Sequence, residues 1–541
     1  MFFLLLLLVV VVEQMVCGEV VMVKRREGVI YGVEREGVRE FLGVRFAEPA
    51  VRFEMAQREG PALLLSQNAS EAGAWCVQES NGERVGSEDC LFLNLFAPKE
   101  ANLAPVFFYV HGGGFVTGHA ELNAWNLTKT KNVIFLAPQY RIGVFGAFDK
   151  NYGLEDQILA LKWTKENIEY FGGDPDNILL VGCSAGGASV ANLLVSGPPG
   201  HFKAAVIGSP GSHLGWIGDE DSVRTNDDFM SLSLRQKNVA ILQNEFSHVQ
   251  DKDIISTDLL FSTSKVLRFA PATTVASSQK KPFSQRRQKK KRRKTTIQEE
   301  ETSPLREIMK GNAMNKVPVI VGGQSCESCA DAATFLGPPS EGTTFNQLRD
   351  AIAKAGFDSI IGVDTILKWY EPRRRQEGNW RVFARILSDS SHACSAVLHA
   401  RALASQKLSL NDRMPSSSFP ANVFSYFFAY DADVKPYPGS THCNIEDYIF
   451  HANSDKGKSD LIANALSTWF TNLLLTGDPN NSSSLSQDDN TVALPYWDAF
   501  QPSSSMQQVM YLGLDDDPNP FLDTTQDTLR PECDYWEPYL I

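Results

Sequence analysis

The spacing of apolar and polar positions changes character along the chain. From Gly28 to Pro49, "GVIYGVEREGVREFLGVRFAEP" alternates the two types around glycines. That is the period-two signature of an antiparallel hairpin with one face on a core. Further on, alternation gives way to short continuous apolar runs: "APVFFYV" (Ala104 to Val110), "NVIFLAPQY" (Asn132 to Tyr140), "NILLVG" (Asn177 to Gly182), "KAAVIGS" (Lys203 to Ser209) and "VPVIVGG" (Val317 to Gly323). Unbroken apolarity over such lengths predicts central strands covered on both faces. Between them, "LEDQILALKWTKENIEYFGG" sets Ile158, Leu161, Ile168 and Phe171 at roughly helical spacing, with Gly172 as a stop. Later, "NVFSYFFAY" reads as one more strand, and "SDLIANALSTWFTNLLLTGDPN" as an amphipathic helix ending at Gly477 and Pro479. Strand alternating with helix implies an α/β chain with a central, mostly parallel sheet flanked by helices.

Two stretches depart from this texture. The first residues form an apolar run from Phe2 to Val12 that stops at Glu13. At about eleven residues it is too short to span a bilayer and suits the apolar segment of a signal peptide. Val16 and Gly18 supply small residues for a cut after Gly18, although no Lys or Arg precedes the run. Residues 1–18 are therefore read as a signal peptide, and 19–541 as one domain. The second exception packs ten Lys and Arg into Lys280 to Lys294, followed by three glutamates. A block of like charge is ordinarily solvated and unfolded, so 276–304 reads as a disordered basic insertion. Binding of acidic glycans there is the sharper alternative.

Composition narrows the class. With 541 residues, 43% of them hydrophobic, the chain can bury a large core, and a net charge of −13 argues against nucleic acid as a partner. No stretch after the leader is long and apolar enough to cross a membrane, and "DYWEPYLI" at the C-terminus carries no retention or lipid-anchor signal. Sequons at Asn68, Asn126, Asn480 and Asn481 fit a glycosylated protein that is secreted or held in the secretory lumen. Nine cysteines are present, eight of them after Gly18. Cys76 and Cys90 frame a short polar segment, and a bridge closing it would stabilise by roughly 3 kcal/mol. The pairing of Cys183, Cys326, Cys329, Cys394, Cys443 and Cys533 stays open.

The chemistry gathers at the ends of the apolar runs. "NILLVGCSAGGASV" carries a strand directly into Gly182-Cys183-Ser184-Ala185-Gly186 and then a helix. That is the context in which G-x-S-x-G forms a sharp turn that exposes a nucleophilic serine. The Ala185 N–H, at the helix start, is then free to donate to an oxyanion. "FFYVHGGGFVTG" runs from a strand into Gly112-Gly113-Gly114, whose amides can serve the same oxygen. An acid and a histidine should follow in that order. Glu327 follows the "VPVIVGG" strand, with Asp331 as its rival, and His442 follows the "NVFSYFFAY" strand. His392 and His399 lie on a helical pattern and His451 follows an apolar run, which suits core or surface roles.

These residues resemble the type-B carboxylesterase and cholinesterase family of α/β-hydrolases over nearly the whole mature chain. "SEDCLFLNLFAP", "HGGGF", the stretch from Asn151 to Val190, "GSTH" and "LLTGDPN" carry the likeness. The resemblance implies a cofactor-independent, metal-independent serine esterase of broad specificity acting on small carboxylic esters. Ser184 is then the nucleophile, His442 the base, Glu327 the acid that orients it, and Gly113, Gly114 and Ala185 the oxyanion donors. It also implies the Cys76–Cys90 bridge, whereas the family's second disulfide has no counterpart, because Gly211 to Lys310 holds no cysteine. Two departures stand out: Cys183 replaces the family's glutamate before the serine, and the acid sits in Cys-Glu-Ser rather than Asp-Glu-Gly. The Cys76–Cys90 loop also lacks the aromatic residue that holds choline in cholinesterases. Cys183 is expected to be a packed neighbour of Ser184, and the thiols beside all three site residues to make it oxidation-sensitive. Two other readings compete: a non-catalytic adhesion protein on the same fold, and a thiol or metal site built from Cys183, Cys326, Cys329 and Cys443. The latter spacing matches no zinc signature.

Overall fold

The computed structural model describes residues 18–541 apart from 27, 61–65, 81–82, 148–150, 212–303, 360, 407–421, 431–436, 438, 451–457, 482–493, 502–508, 513–520, 525–530 and 541. The leader, the basic block and His451 lie outside the described residues. The N-terminal strands are β1 (Glu19–Lys24), β2 (Val29–Arg35), β3 (Val38–Arg45), β4 (Ser66–Asn68), β5 (Gln78–Ser80), β6 (Glu83–Val85) and β7 (Phe92–Pro98). The centre consists of β8 (Ala104–Val110), β9 (Ile134–Pro138), β10 (Gly173–Cys183), β11 (Ala204–Gly208), β12 (Val319–Gln324) and β13 (Val423–Phe428), followed by β14 (Val509–Leu512) and β15 (Phe521–Thr524). Among the described residues, one sheet runs β1-β2-β3-β7-β9-β8-β10-β11-β12-β13-β14-β15, with β4 beside β2. From β9 to β14 every pairing is parallel, and the hairpin strands before it and β15 after it are antiparallel.

The continuous apolar runs are the strands that need both faces covered. Every residue of β8, β9, β11 and β12 is buried. Successive side chains point to opposite faces, and the core divides accordingly. Phe108, Val110, Leu180, Ile207 and Val321 pack on one side, and Phe107, Tyr109, Leu179, Val206 and Ile320 on the other. The helices that cover these faces include α1 (Tyr152–Asn167), α2 (Ala185–Ser196), α3 (Cys329–Leu336), α4 (Asn379–Ser388), α5 (Cys394–Ala404), α6 (Ile445–Ile449), α7 (Lys458–Thr476) and α8 (Glu532–Leu540). α7 places Ile462, Leu466, Trp469, Phe470 and Leu473 into the second core. Its end at Gly477, where φ is 77°, is the stop expected from the sequence.

A third core lies beneath α3, α4, α5 and α8 and ties the C-terminus to the site. The Trp536 indole donates to the Tyr370 hydroxyl at 2.7 Å, which donates to the Asp389 carboxylate at 2.8 Å. Asp389 opens a π-helical turn, Asp389–Ala393, between α4 and α5. Such turns re-aim side chains within a helix. A disulfide from Cys394 to Cys533 fastens α8 to α5, and both cysteines are fully buried. The Cys76–Cys90 bridge forms as expected.

Replacing both Cys394 and Cys533 by alanine is expected to lower unfolding stability by about 2–5 kcal/mol. The helical content of the folded state should stay unchanged. Denaturant titration with parallel circular dichroism spectra checks this, and an unmoved midpoint would contradict the tethering role.

Candidate active site

β10 ends at Cys183 and α2 begins at Ala185, so Ser184 alone makes the turn between them. Its φ of 59° and ψ of −127° are unfavourable for a residue with a side chain, a cost of ~1–3 kcal/mol that the surroundings must impose. They do so through two glycines. A Cβ on Gly186 would lie 2.0 Å from the Val110 carbonyl oxygen, and one on Gly182 would lie 2.5 Å from the Gly186 backbone. No side chain fits at either position. The Ser184 N–H donates to the Gly208 carbonyl at 3.0 Å, which pins the turn to β11. Cys183 and Ala185 are buried, whereas Ser184 is partly exposed at the carboxyl ends of the strands.

The glycine run after β8 lies against this turn. A Cβ on Gly112 would sit 3.2 Å from the Ser184 Cβ. Gly113 has φ 105° and Gly114 φ 61°, conformations that favour glycine. His111 anchors the run: its ring stacks on Tyr140 at 4.1 Å, Nδ1 lies 2.9 Å from the Gly112 oxygen, and the Tyr140 hydroxyl donates to the His111 carbonyl at 2.7 Å. Burial pushes the His111 pKa down to about 4, so the ring is neutral at physiological pH. Among the described residues the N–H groups of Gly113, Gly114 and Ala185 have no hydrogen-bond acceptor. Three donors are thus left free around the serine.

Acid and histidine meet where the loops after β12 and β13 run side by side. Cys326 and Thr441 form a parallel bridge, and the Cys326 N–H donates to the Ser440 carbonyl at 2.9 Å. Glu327 Oε2 then accepts from His442 Nδ1 at 2.7 Å. Its Oε1 accepts from the Ser209 hydroxyl at 2.7 Å and from the Gln324 N–H at 2.6 Å. Burial would raise the Glu327 pKa, but the His442 hydrogen bond and charge and the Ser209 bond outweigh it and hold the carboxyl below its usual range. Burial likewise depresses His442, yet the Glu327 hydrogen bond and charge, with Glu446 and Asp331 further off, leave its pKa raised. Asp331, the rival acid, is exposed on the first turn of α3.

The structure therefore joins Glu327 and His442 directly and sets Ser184 against the free amides. Among the described residues, Ser184 makes no hydrogen bond to His442. Resting sites often hold this contact loosely. The cysteines supply another connection. Cys183 is buried as expected, but it is bridged to Cys443, and Cys326 is bridged to Cys329. The expectation of free thiols beside the three residues is thereby corrected: Cys183 and Cys443 meet only through loops brought together across the sheet, while Cys326 and Cys329 close on each other within one turn.

Sequence reasoning also missed two neighbours. Ser209 follows the end of β11, and His392 sits in the π-helical turn with its ring 4.1 Å from that of His442. Burial and then the His442 charge push His392 down to about 3, against the pull of Glu327. A neutral ring can lie beside an imidazolium without a second positive charge. No local pattern marks either residue; both arrive through tertiary packing. His399 is a core residue, with Nδ1 2.8 Å from the Ser395 carbonyl oxygen. Among the described residues, two sets of potential metal donors occur, Glu327/His392/His442 and Cys183/Cys443/Glu446, each within 4.8 Å. In the first, Glu327 and His442 already bind each other; in the second, both sulfurs are spent in the bridge. Of the sequon residues, Asn68 and Asn481 are exposed and Asn126 is partly buried. The Asn480 amide nitrogen instead donates to Asp478 and to the Trp497 carbonyl, each at 2.8 Å. No helix among the described residues is long and apolar enough to cross a membrane.

Comparisons with known proteins bear on the chain as a whole. A sequence model of the Carboxylesterase family matches residues 19–536. Gut esterase 1 of Caenorhabditis elegans is 34% identical over 228 residues, 39% of this chain and 41% of that protein. The matched stretch thus spans less than half of that relative's length. Juvenile hormone esterase of Tribolium castaneum is 26% identical over 506 residues, covering 84% of this chain and 82% of that one. Among solved structures, a PNB esterase superposes with a TM-score of 0.66 at 22% identity, over 91% of this chain and 95% of the other, which shows the α/β-hydrolase fold. The chain belongs to the carboxylesterase family.

Proposed function

We propose that the protein hydrolyses small carboxylic esters of varied structure through an acyl-enzyme on Ser184. The observation that carries this reading is the Glu327–His442 hydrogen bond, made beside a strained serine turn whose surrounding amides are unoccupied. His442 Nε2 takes the Ser184 proton as Oγ attacks the ester carbonyl carbon. The carbonyl oxygen becomes an oxyanion, held by the N–H groups of Gly113, Gly114 and Ala185; each such donor is worth ~3 kcal/mol in the transition state. The imidazolium returns its proton to the departing alcohol. Water, deprotonated by His442, then attacks the acyl carbon, and its collapse releases the acid and restores the Ser184 hydroxyl. Glu327 fixes the Nδ1–H tautomer and stabilises the imidazolium; Ser209 and Gln324 hold Glu327. The carboxylesterase family and the esterases among its relatives support this reaction class. The apolar leader and the exposed sequons support passage through the secretory pathway, and the continuity of the large sheet among the described residues supports a single catalytic domain.

Ser184→Ala is expected to reduce turnover of a chromogenic short-chain ester by at least ~10⁴-fold. Retention of most activity would contradict the reading. Glu327→Gln is expected to cost ~10³–10⁴-fold, while Asp331→Asn stays within about threefold of wild type. The pH profile carries an independent sign. His442 must be neutral to act as base, so its raised pKa sets the acid limb above the ordinary histidine value. Removing the Glu327 charge should shift that limb to lower pH even as the rate falls, and an unmoved limb would exclude Glu327 as the partner.

A further inference from the structure

We propose that Cys183 and Cys443 are positioning residues, whose disulfide holds the His442 imidazole at working distance from the Ser184 oxygen. The inference rests on the serine mechanism above and concerns how its two central groups are kept together. Each cysteine is the immediate neighbour of one of them: Cys183 precedes Ser184, and Cys443 follows His442. They lie 260 positions apart in sequence, with Cα atoms 5.9 Å apart in space. The bridge therefore closes a short covalent path between the serine turn and the histidine loop, where Ser184 and His442 share no hydrogen bond of their own.

Three hydrogen bonds of the histidine loop point elsewhere. The Ser440 N–H donates to Ser325 Oγ at 2.8 Å, Cys326 N–H donates to the Ser440 carbonyl, and His442 itself bonds Glu327. All of these tie the loop to the segment after β12 and none to the serine turn. The only described covalent link from this loop to β10 is Cys443 Sγ to Cys183 Sγ. Cys443 adopts φ 58°, a conformation unfavourable for a residue with a Cβ. A side chain is kept there despite that cost, as expected where it has a bond to make. The bridge lies against the Glu446 carboxyl, which accepts from the Tyr109 hydroxyl at 2.5 Å near the end of β8. Cys183 itself is buried at the end of β10.

Loss of the bridge should leave substrate contacts and the Glu327–His442 bond in place while loosening the Ser184–His442 distance. The consequence is a defect in kcat rather than KM. Cys183→Ala, Cys443→Gly and the double variant are the direct test, with glycine at 443 relieving the positive φ so that the variant folds. Each is expected to lower kcat about 10–100-fold, counted per site reactive toward a phosphonate. KM should change by less than about threefold, and the acid limb of the pH profile should not move, because the charge facing His442 is unaltered. The double variant should be no worse than either single, because the two act as one unit.

Reduction supplies a second route that needs no variant. A dithiol donates two electrons to the bridge, the Cys183–Cys443 S–S bond becomes two thiols, and the dithiol closes into its own disulfide. The wild type should then fall to the rate of the double variant and recover on reoxidation, while the double variant does not respond. Unchanged kcat in a folded variant, or in wild type whose reduced Cys183 and Cys443 are verified by thiol labelling, would overturn the positioning role. So would a loss explained by KM alone. Wild-type hydrolysis indifferent to Ser184→Ala would remove the underlying mechanism and this role together, so the two failures are told apart by that one control.

Discussion

The close approach of α2 to the end of β8 is the constraint on which the site depends. With the Gly186 Cα seated against the Val110 carbonyl and Gly182 folded over the Gly186 backbone, the chain must turn within one residue. That residue is Ser184, and the same geometry decides what surrounds it. The glycine run leaving β8 is laid over the serine, and the first N–H of α2 is left without an acceptor. Strain at Ser184 is sustained because β8, β10 and β11 are each paired on both sides and fully packed at this level. A sheet edge could not hold such a turn. The parallel centre, flanked by antiparallel strands, keeps these ends inside the molecule.

The second organising element is electrostatic. Glu327 has no exposed side-chain surface, so its charge persists only through three hydrogen bonds, from His442, Ser209 and Gln324. An isolated buried carboxylate would protonate instead. The same bonds raise the affinity of His442 for a proton, which suits a proposed base that must take one from a hydroxyl. His392 completes the balance by remaining neutral against the His442 ring. Its position traces back through the π-helical turn, Asp389, Tyr370 and Trp536 to the C-terminal helix, so packing far from the serine bears on the proposed site.

Much of this was legible in the residues, for identifiable reasons. Continuous apolar runs located β8 to β13 because burial on both faces removes the polar alternation. The strand–glycine–serine–glycine–helix order located the turn because only glycine survives the backbone contacts there. The preference for Glu327 over Asp331 came from resemblance; burial and the bond to His442 now support it physically. Ser209, His392 and the Cys183–Cys443 pair were not legible. Each depends on which loops meet at the carboxyl edge of the sheet, a three-dimensional fact with no period or motif in one dimension. Cys183 was judged by its neighbour in sequence, whereas its partner comes from 260 positions away.

The proposed reaction turns on a single hydroxyl, that of Ser184, made reactive by its turn and its neighbours. The most direct measurement is covalent labelling with an aryl phosphonate, followed by digestion and mass mapping of the adduct. One equivalent on the peptide that contains Ser184, with loss of activity in proportion, is the predicted result. Labelling of another residue, or full activity with Ser184 modified, would contradict it.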